Sequence, residues 1–529
     1  MARSYASSYG RLMMGAALRN NNKKRMMCPV PWMHYCQVRG KCESSGIVIG
    51  LYLKEGEKDP QLSPNGEKLD DRVGGKISAL VRETGMNGKL GRGRMFSNVD
   101  KEFASIVVVG LGREGIGYDA EEVLDVGMEN ARIAAAVGAR ALQYQGVQSV
   151  YVDSMEYPEQ AAEGASMAVW RYNVNKRKHR RLAIPKLELY GSTDVDAWTR
   201  GLFKAESQNL ARRLSDTPAN QMTPSIFAQA AIDALCPCGV TVEVRTMDWI
   251  EEQALNSFLM VAKGSCEPPL ILEISYRGTS PDDRPLQLMG NGLTFNSGGL
   301  CLKHKNSLHM QRGALTGAAC CVAAIRAAAA LSLPINVSAL LPLCENMPSG
   351  MAAKPGDVIT LLNGKTLCIK DTSNAGTVML ADPLIYAQTT QKPRLLVDVG
   401  AHNTGVQFGL GSSSTGLWTN SSDLWKQFRK AGSLTGDRVW RMPLWKHFKD
   451  LIEPNKTYDM CNKGRGPASS CLAAALLHSI VACADWVHLD TRGTGMLGKA
   501  GVPPYLLRDS MTGRPTRTLI QFMYQMACK

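Results

Sequence analysis

Between Leu286 and Leu341 the chain spells out one strand–helix–strand unit, and no other stretch constrains the fold as much. Leu286–Gly290 reads as a buried strand, Ala318–Leu331 as a helix almost without polar side chains, and Ile335–Leu341 as the next strand. A helix that is apolar all round must be covered on every side. Its many alanines let it lie close to a sheet. A strand at Val240–Val244, a helix at Met247–Leu255 and a strand at Leu270–Ser275 precede the unit, and Leu395–Asp398 supplies another strand after it. This alternation predicts α/β architecture with a mostly parallel central sheet covered by helices on both faces. Sites in such sheets open at the carboxyl ends of strands. Asn291 and Asn296 follow one such end, so chemistry is expected around them.

The N-terminal half repeats the rhythm on a smaller scale. Strands are predicted at Gly46–Leu53, Ala104–Gly110 and Val147–Val152, with helices at Glu121–Leu142 and Gln160–Tyr172. Gly110, Gly112 and Gly115 form a GxGxxG pattern after the second strand, but no acidic residue is placed to meet a ribose, so no nucleotide cofactor is expected. The Leu187–Tyr190 segment reads as part of the connection to a helix that carries Ala205–Leu214. At Thr223-Pro224 an N-cap and an N1 proline open a further helix. At 529 residues two domains are expected: a smaller α/β domain over 43–190 and a larger one over 191–529. Residues 1–42 hold eight Lys or Arg and no Asp or Glu. A basic, Ser-rich, acid-free leader has the composition of a mitochondrial transit peptide; a cytoplasmic chain with a basic tail is the alternative.

The formal net charge of +14 owes much to that leader. The compact basic run Lys176-Arg177-Lys178-His179-Arg180-Arg181 lies in a polar connection and reads as a solvated surface, so no nucleic-acid partner is expected. No apolar run is expected to span a bilayer. Fifteen cysteines at irregular spacing, with no secretory segment, predict reduced thiols. His304, His309 and His402 have no spacing that requires a metal and are not expected to form a new site.

The densest motifs run from Gly290 to Leu384. They are Gly290-Asn291-Gly292-Leu293-Thr294-Phe295-Asn296-Ser297-Gly298-Gly299 with Lys303 beyond, Gly313-Ala314-Leu315-Thr316-Gly317-Ala318-Ala319, and Asp371-Thr372-Ser373-Asn374-Ala375-Gly376-Thr377-Val378-Met379-Leu380. With Thr435-Gly436-Asp437-Arg438 and Trp486-Val487-His488-Leu489-Asp490 further on, they resemble the leucyl aminopeptidase (cytosol aminopeptidase) family from about residue 46 to the C-terminus. That resemblance implies a hexamer and a pair of divalent ions, zinc or manganese. It also implies a site in which the first segment gives a ligand Lys and Asp, the second a ligand Asp, and the third a ligand Asp and Glu followed by a catalytic Arg.

In this sequence those positions are Asn291, Asn296, Ala314, Ser373, Ala375 and Thr377, all uncharged. The family's second lysine is kept as Lys303, which reads as vestigial, while its pocket Met falls at Gln311. The Thr-Leu-Thr-Gly segment falls at Ala401-His402-Asn403-Thr404. Two divalent ions about 3.5–4 Å apart need negative ligands to offset their repulsion. The expectation is therefore a chain that binds no metal cofactor and is not an enzyme. It resembles the catalytically degenerate sperm leucyl-aminopeptidase group, as a structural component of mitochondria that assembles as a homohexamer or a mixed hexamer with paralogues. A metal-dependent aminopeptidase with residual activity and a regulatory subunit are the alternatives.

Overall fold

The computed structural model describes residues 44–53, 60–453, 457–482, 485–496 and 501–528. The basic leader lies outside them. In the N-terminal domain the strand Ser45–Leu53 (β1) is flanked in parallel by Ser105–Arg113 (β2) and Ser149–Asp153 (β3). Lys186–Tyr190 extends the sheet beyond β3, and Gly93–Ser97 closes the other edge antiparallel to β2. The segment expected as a connection at Leu187–Tyr190 is therefore an edge strand. Side chains of a strand alternate between faces. Ile47, Ile49 and Leu51 accordingly pack with Leu69 and Ile77 on one face, while Val48 packs with Ala134, Ala135 and Ala165 on the other.

The GxGxxG segment makes no strand-to-helix phosphate loop. β2 runs on through Arg113, and the next helix, Val126–Tyr144 (α1), starts only where Asp125 accepts a 3.0 Å bond from the Met128 amide. The helix Pro158–Val169 (α2) packs on α1, and the long helix Val195–Asp216 (α3) leads into the second domain.

There, nine strands of the described residues form one sheet. Its centre is parallel, in the order Asp485–Asp490, Leu395–Gly400, Leu286–Gly290 and Asn336–Asn346. Antiparallel strands flank it, with Thr415–Thr419 on one side and Leu270–Arg277 on the other. Gly292–Asn296 adds in parallel to the far end of Asn336–Asn346. The helix predicted over Met247–Leu255 is instead two, Met247–Glu252 and Asn256–Ala262, because Ala254 takes a left-handed φ of 52° that breaks the helix.

The helix Thr316–Ala330 (α4) lies on one face of this sheet and Ala375–Thr390 (α5) on the other. By length and composition alone the helical stretch Lys305–Ala330 could cross a membrane, but it is a buried core helix and gives no clear span. Its apolar residues are used inside the protein, since 83% of its 18-residue apolar window is buried. The exposed basic run forms a short helical turn over Lys178–Arg180. The described cysteines are all free thiols.

Candidate functional site

The site lies where Leu286–Gly290, Asn336–Asn346 and Leu395–Gly400 end. Asn291 is locked at the end of the first: its amide donates to Val399 O at 2.9 Å, and its carbonyl accepts from Ala318 N at 3.0 Å. Its side-chain oxygen accepts from Leu293 N at 3.1 Å, and its buried Nδ2 has no protein partner. The chain then turns through Gly298 and Gly299, both at positive φ. A Cβ on Gly298 would sit 2.5 Å from Cys301 O, so the turn that brings Lys303 back requires glycine.

The structure gathers most of the positions singled out from sequence into one region. Asn296 Oδ1 accepts from Asn346 Nδ2 at 2.9 Å and from Gly298 N at 3.1 Å, and its Nδ2 donates to Ser373 O at 3.3 Å. Ser373 Oγ donates to Asp371 at 2.7 Å. Thr377 Oγ1 donates to Asn374 O at 3.1 Å. Ala314 and Ala375 are buried and carry no donor atom. Gln311 is buried, with Nε2 on Ser307 O.

A pair of divalent ions does not fit these residues. Asn296 turns an N–H donor toward Ser373, its oxygen is already shared by two donors, and none of the six positions carries charge. Lys303 is half-buried and makes no ion pair among the described residues. Burial lowers its pKa to about 8, the neighbouring Arg492 adding to this and Asp371 opposing it. Its amine therefore gives up its proton around pH 8 and is still mainly charged at pH 7.

A second cluster lies beside Asn291. Asp398 and His488 face each other in register on parallel neighbours. His488 Nδ1 is bonded to Asp398 Oδ1, and Asp398 Oδ2 accepts from Trp486 Nε1 at 2.7 Å. His402 follows the end of Leu395–Gly400, its amide held by Asp490 at 3.1 Å, and its ring centroid lies 5.0 Å from that of His488. One ligand atom from each of Asp398, His402 and His488 lies within 4.8 Å of the others. Burial, and then the neighbouring His488, hold His402 well below the usual imidazole range, so its ring is neutral. For His488, burial acts in the same direction but is outweighed by Asp398, which raises its pKa.

His402 is one of the three histidines that the sequence brings forward; the other two, His304 and His309, contribute nothing to this cluster. Its partners Asp398 and His488 do not emerge from sequence reasoning. The signal available is that both sit on apolar strands, Leu-Leu-Val-Asp and Trp-Val-His-Leu-Asp, where a polar side chain needs a partner.

Two family models match the chain: "Cytosol aminopeptidase family, N-terminal domain" over residues 48–179 and "Cytosol aminopeptidase family, catalytic domain" over residues 209–520. The cytosol aminopeptidase of Bos taurus is 42% identical over 514 residues, 96% of each chain. That of Sus scrofa is 44% identical over 91% of this chain and 92% of its own. Among solved structures, a bottromycin maturation enzyme in complex with Mn superposes with a TM-score of 0.79 at 27% identity, covering 92% of this chain and 100% of its own. A tomato leucine aminopeptidase mutant, at 22% identity and a TM-score of 0.76 over 92% of this chain and 95% of its own, has the same two-domain α/β fold.

These findings correct two expectations. The expectation that the chain is not an enzyme is overturned by relatives that are aminopeptidases by name and align over nine-tenths or more of it. The expectation that it has no metal cofactor is overturned by the Asp398, His402 and His488 group, together with a structural neighbour that holds Mn. Both expectations rest on the three motif segments alone, and the clustered donors come from two strands and a loop outside them.

Proposed function

The chain belongs to the cytosol aminopeptidase family, and from that premise we propose that it is a metal-dependent hydrolase of peptide N-termini whose ligand set departs from the one the family resemblance implies. The observation that carries this reading is the combination of near-complete alignment to aminopeptidases with the desolvated Lys303 kept beyond the Asn291–Asn296 segment at the strand ends. In its charged form Lys303 is suited to hold a peptide carbonyl or carboxylate oxygen by a charge-assisted hydrogen bond. The Asn296–Asn346–Ser373 network holds the neighbouring segments together without a charge of its own. A bound divalent ion would polarise the scissile carbonyl or activate water. Hydrolysis of a leucyl amide by the purified full-length chain, in chelator and then with Zn or Mn restored, tests the reading. Metal-stimulated release of leucine is expected. No turnover under any of these conditions would overturn it.

The assembly and location belong to the same proposal. The framework segments flanking the altered positions support a homohexamer or a mixed hexamer with paralogues, and the acid-free leader supports a mitochondrial address, where an abundant hexamer would also act as a building block. Mass photometry at micromolar concentration should give a hexamer. A reporter fused to residues 1–42 should enter mitochondria.

A further inference from the structure

We propose that His402 and His488 ligate a single transition-metal dication of the zinc, cobalt or nickel class, with Asp398 as the carboxylate behind His488. The residues that the family resemblance marks as ligands take no part. Three imidazole nitrogens in this cluster, His402 Nδ1, His402 Nε2 and His488 Nε2, are buried and have no protein partner. Unpaired buried polar atoms are rare, and each one is costly. A neutral imidazole carries one N–H and one lone pair, so with His488 Nδ1 on Asp398 each of the two contacting rings has one lone-pair nitrogen without a protein partner, and a cation would satisfy both.

The details of each ring suit this role. His488 Nδ1 is engaged by Asp398 Oδ1, and this leaves Nε2 as the free nitrogen. A carboxylate that holds one imidazole nitrogen while the other ligates is the usual support of a metal-binding histidine. Asp398 is itself fixed by the Trp486 indole at 2.7 Å, so the orientation is set before an ion arrives. His402 lies on a loop whose backbone is pinned to Asp490 through the amides of His402 and Asn403, both at 3.1 Å. The space around its ring depends on glycine. A Cβ on Gly400 would come within 2.3 Å of Nε2, and one on Gly376 within 2.8 Å of Nδ1.

Imidazole ligands select zinc-class ions over magnesium and calcium, which take oxygen. Two protein nitrogens leave coordination positions for water or substrate, as in sites that do chemistry. Gly376 also borders Asn291 Nδ2, which puts this cluster beside the strand-end segment proposed to receive the peptide.

The inference gives the function above its metal, but the binding measurement stands apart from activity. Chelator-stripped full-length protein is dialysed against Co(II) and, separately, Zn(II). One equivalent per chain is expected, with visible Co(II) bands of nitrogen ligation and a Zn-dependent rise in Tm. His402→Leu should abolish the bound equivalent and the Tm rise while keeping the wild-type circular dichroism spectrum. Asp398→Asn, if it folds, should weaken binding by about 10–100-fold. Asn296→Ala should leave the stoichiometry unchanged. No ion bound at micromolar Zn(II) or Co(II) would overturn the inference, as would full binding by His402→Leu or loss of binding in Asn296→Ala. Binding that depends on His402 without leucyl-amide turnover keeps this inference and removes the proposed function; turnover that is indifferent to His402→Leu does the reverse.

Discussion

At the scale of single residues, Lys303 is the group whose titration can be read most directly. Its folded pKa of about 8 lies below its ordinary 10.5, chiefly because burial penalises the ammonium. Between those values the unfolded chain binds the proton and the folded chain does not, so the contribution of Lys303 to stability rises as pH rises through this window. Below pH 8 both states are protonated and the full cost of the buried charge applies. Lys303→Met should therefore be more stable than wild type at pH 7, and the difference should shrink toward pH 10. Urea titrations of both proteins at pH 7, 8.5 and 10 check this; a constant difference across the series would mean that the amine is not desolvated. The residue itself is legible in its motif, whereas Asn291, Asn296, Ala314, Ser373, Ala375 and Thr377, spread over three separate segments, are set together in the sequence only by the family resemblance. The contact between His402 and His488 is legible in neither way. It joins residues 86 positions apart through a register between parallel strands, and no local pattern encodes register.

At the scale of elements, the sequence disclosed most where one period dominates. The strand Leu286–Gly290 matches the expected span, and α4 departs from its expected span by only a residue or two at each end. Expectation and structure part where a single residue decides, as at Ala254, whose left-handed φ splits a helix that periodicity alone continues. The closeness of α4 to the sheet gives a further test. A Cβ on Gly317 would lie 2.0 Å from Val399 O and 2.8 Å from Asn291 N, both backbone atoms that cannot yield without shifting a strand. Helix propensity favours Ala over Gly by about 1 kcal/mol. Overpacking opposes it by roughly 1–3 kcal/mol or more, and at 2.0 Å the clash wins. Gly317→Ala should lower Tm. Gly409→Ala, on the helix Thr404–Leu410 with open space around its Cβ, should be neutral or slightly stabilising. Equal Tm values in differential scanning calorimetry would show that α4 can move off the sheet.

At the scale of the whole molecule, the two domains are joined by a buried ionic knot. Glu163 on α2 accepts from Arg132 Nε on α1 and from Arg517 Nη1 on the C-terminal helix Thr516–Ala527, each at 2.7 Å. Arg132 Nη2 also donates to Leu434 O at 2.9 Å, and Arg517 Nη1 to Thr435 O at 2.6 Å. Tyr505 closes the group on Glu129 at 2.8 Å. One N-terminal carboxylate thus holds an arginine from each domain, and all three side chains are at most 1% exposed. Burial alone would raise the pKa of Glu163, but Arg132, Arg517 and Lys204 outweigh it and hold the carboxyl below its ordinary 4.5. Its stabilising contribution is therefore present above pH 4.5 and lost as pH falls through the lowered folded value. Glu163→Gln leaves the buried Arg517 without its counter-ion and Arg132 with Glu129 alone, and should cost about 3–5 kcal/mol at neutral pH. The gap to wild type should narrow as both are taken into acid. Because the knot spans both domains, the variant should also separate their unfolding. Near-ultraviolet signals, to which Trp418 and Trp486 in the second domain contribute, should part from the far-ultraviolet transition of the whole chain. Coincident transitions with a loss under about 1 kcal/mol would mean that hydrophobic contacts alone couple the domains, with the arginines finding other acceptors.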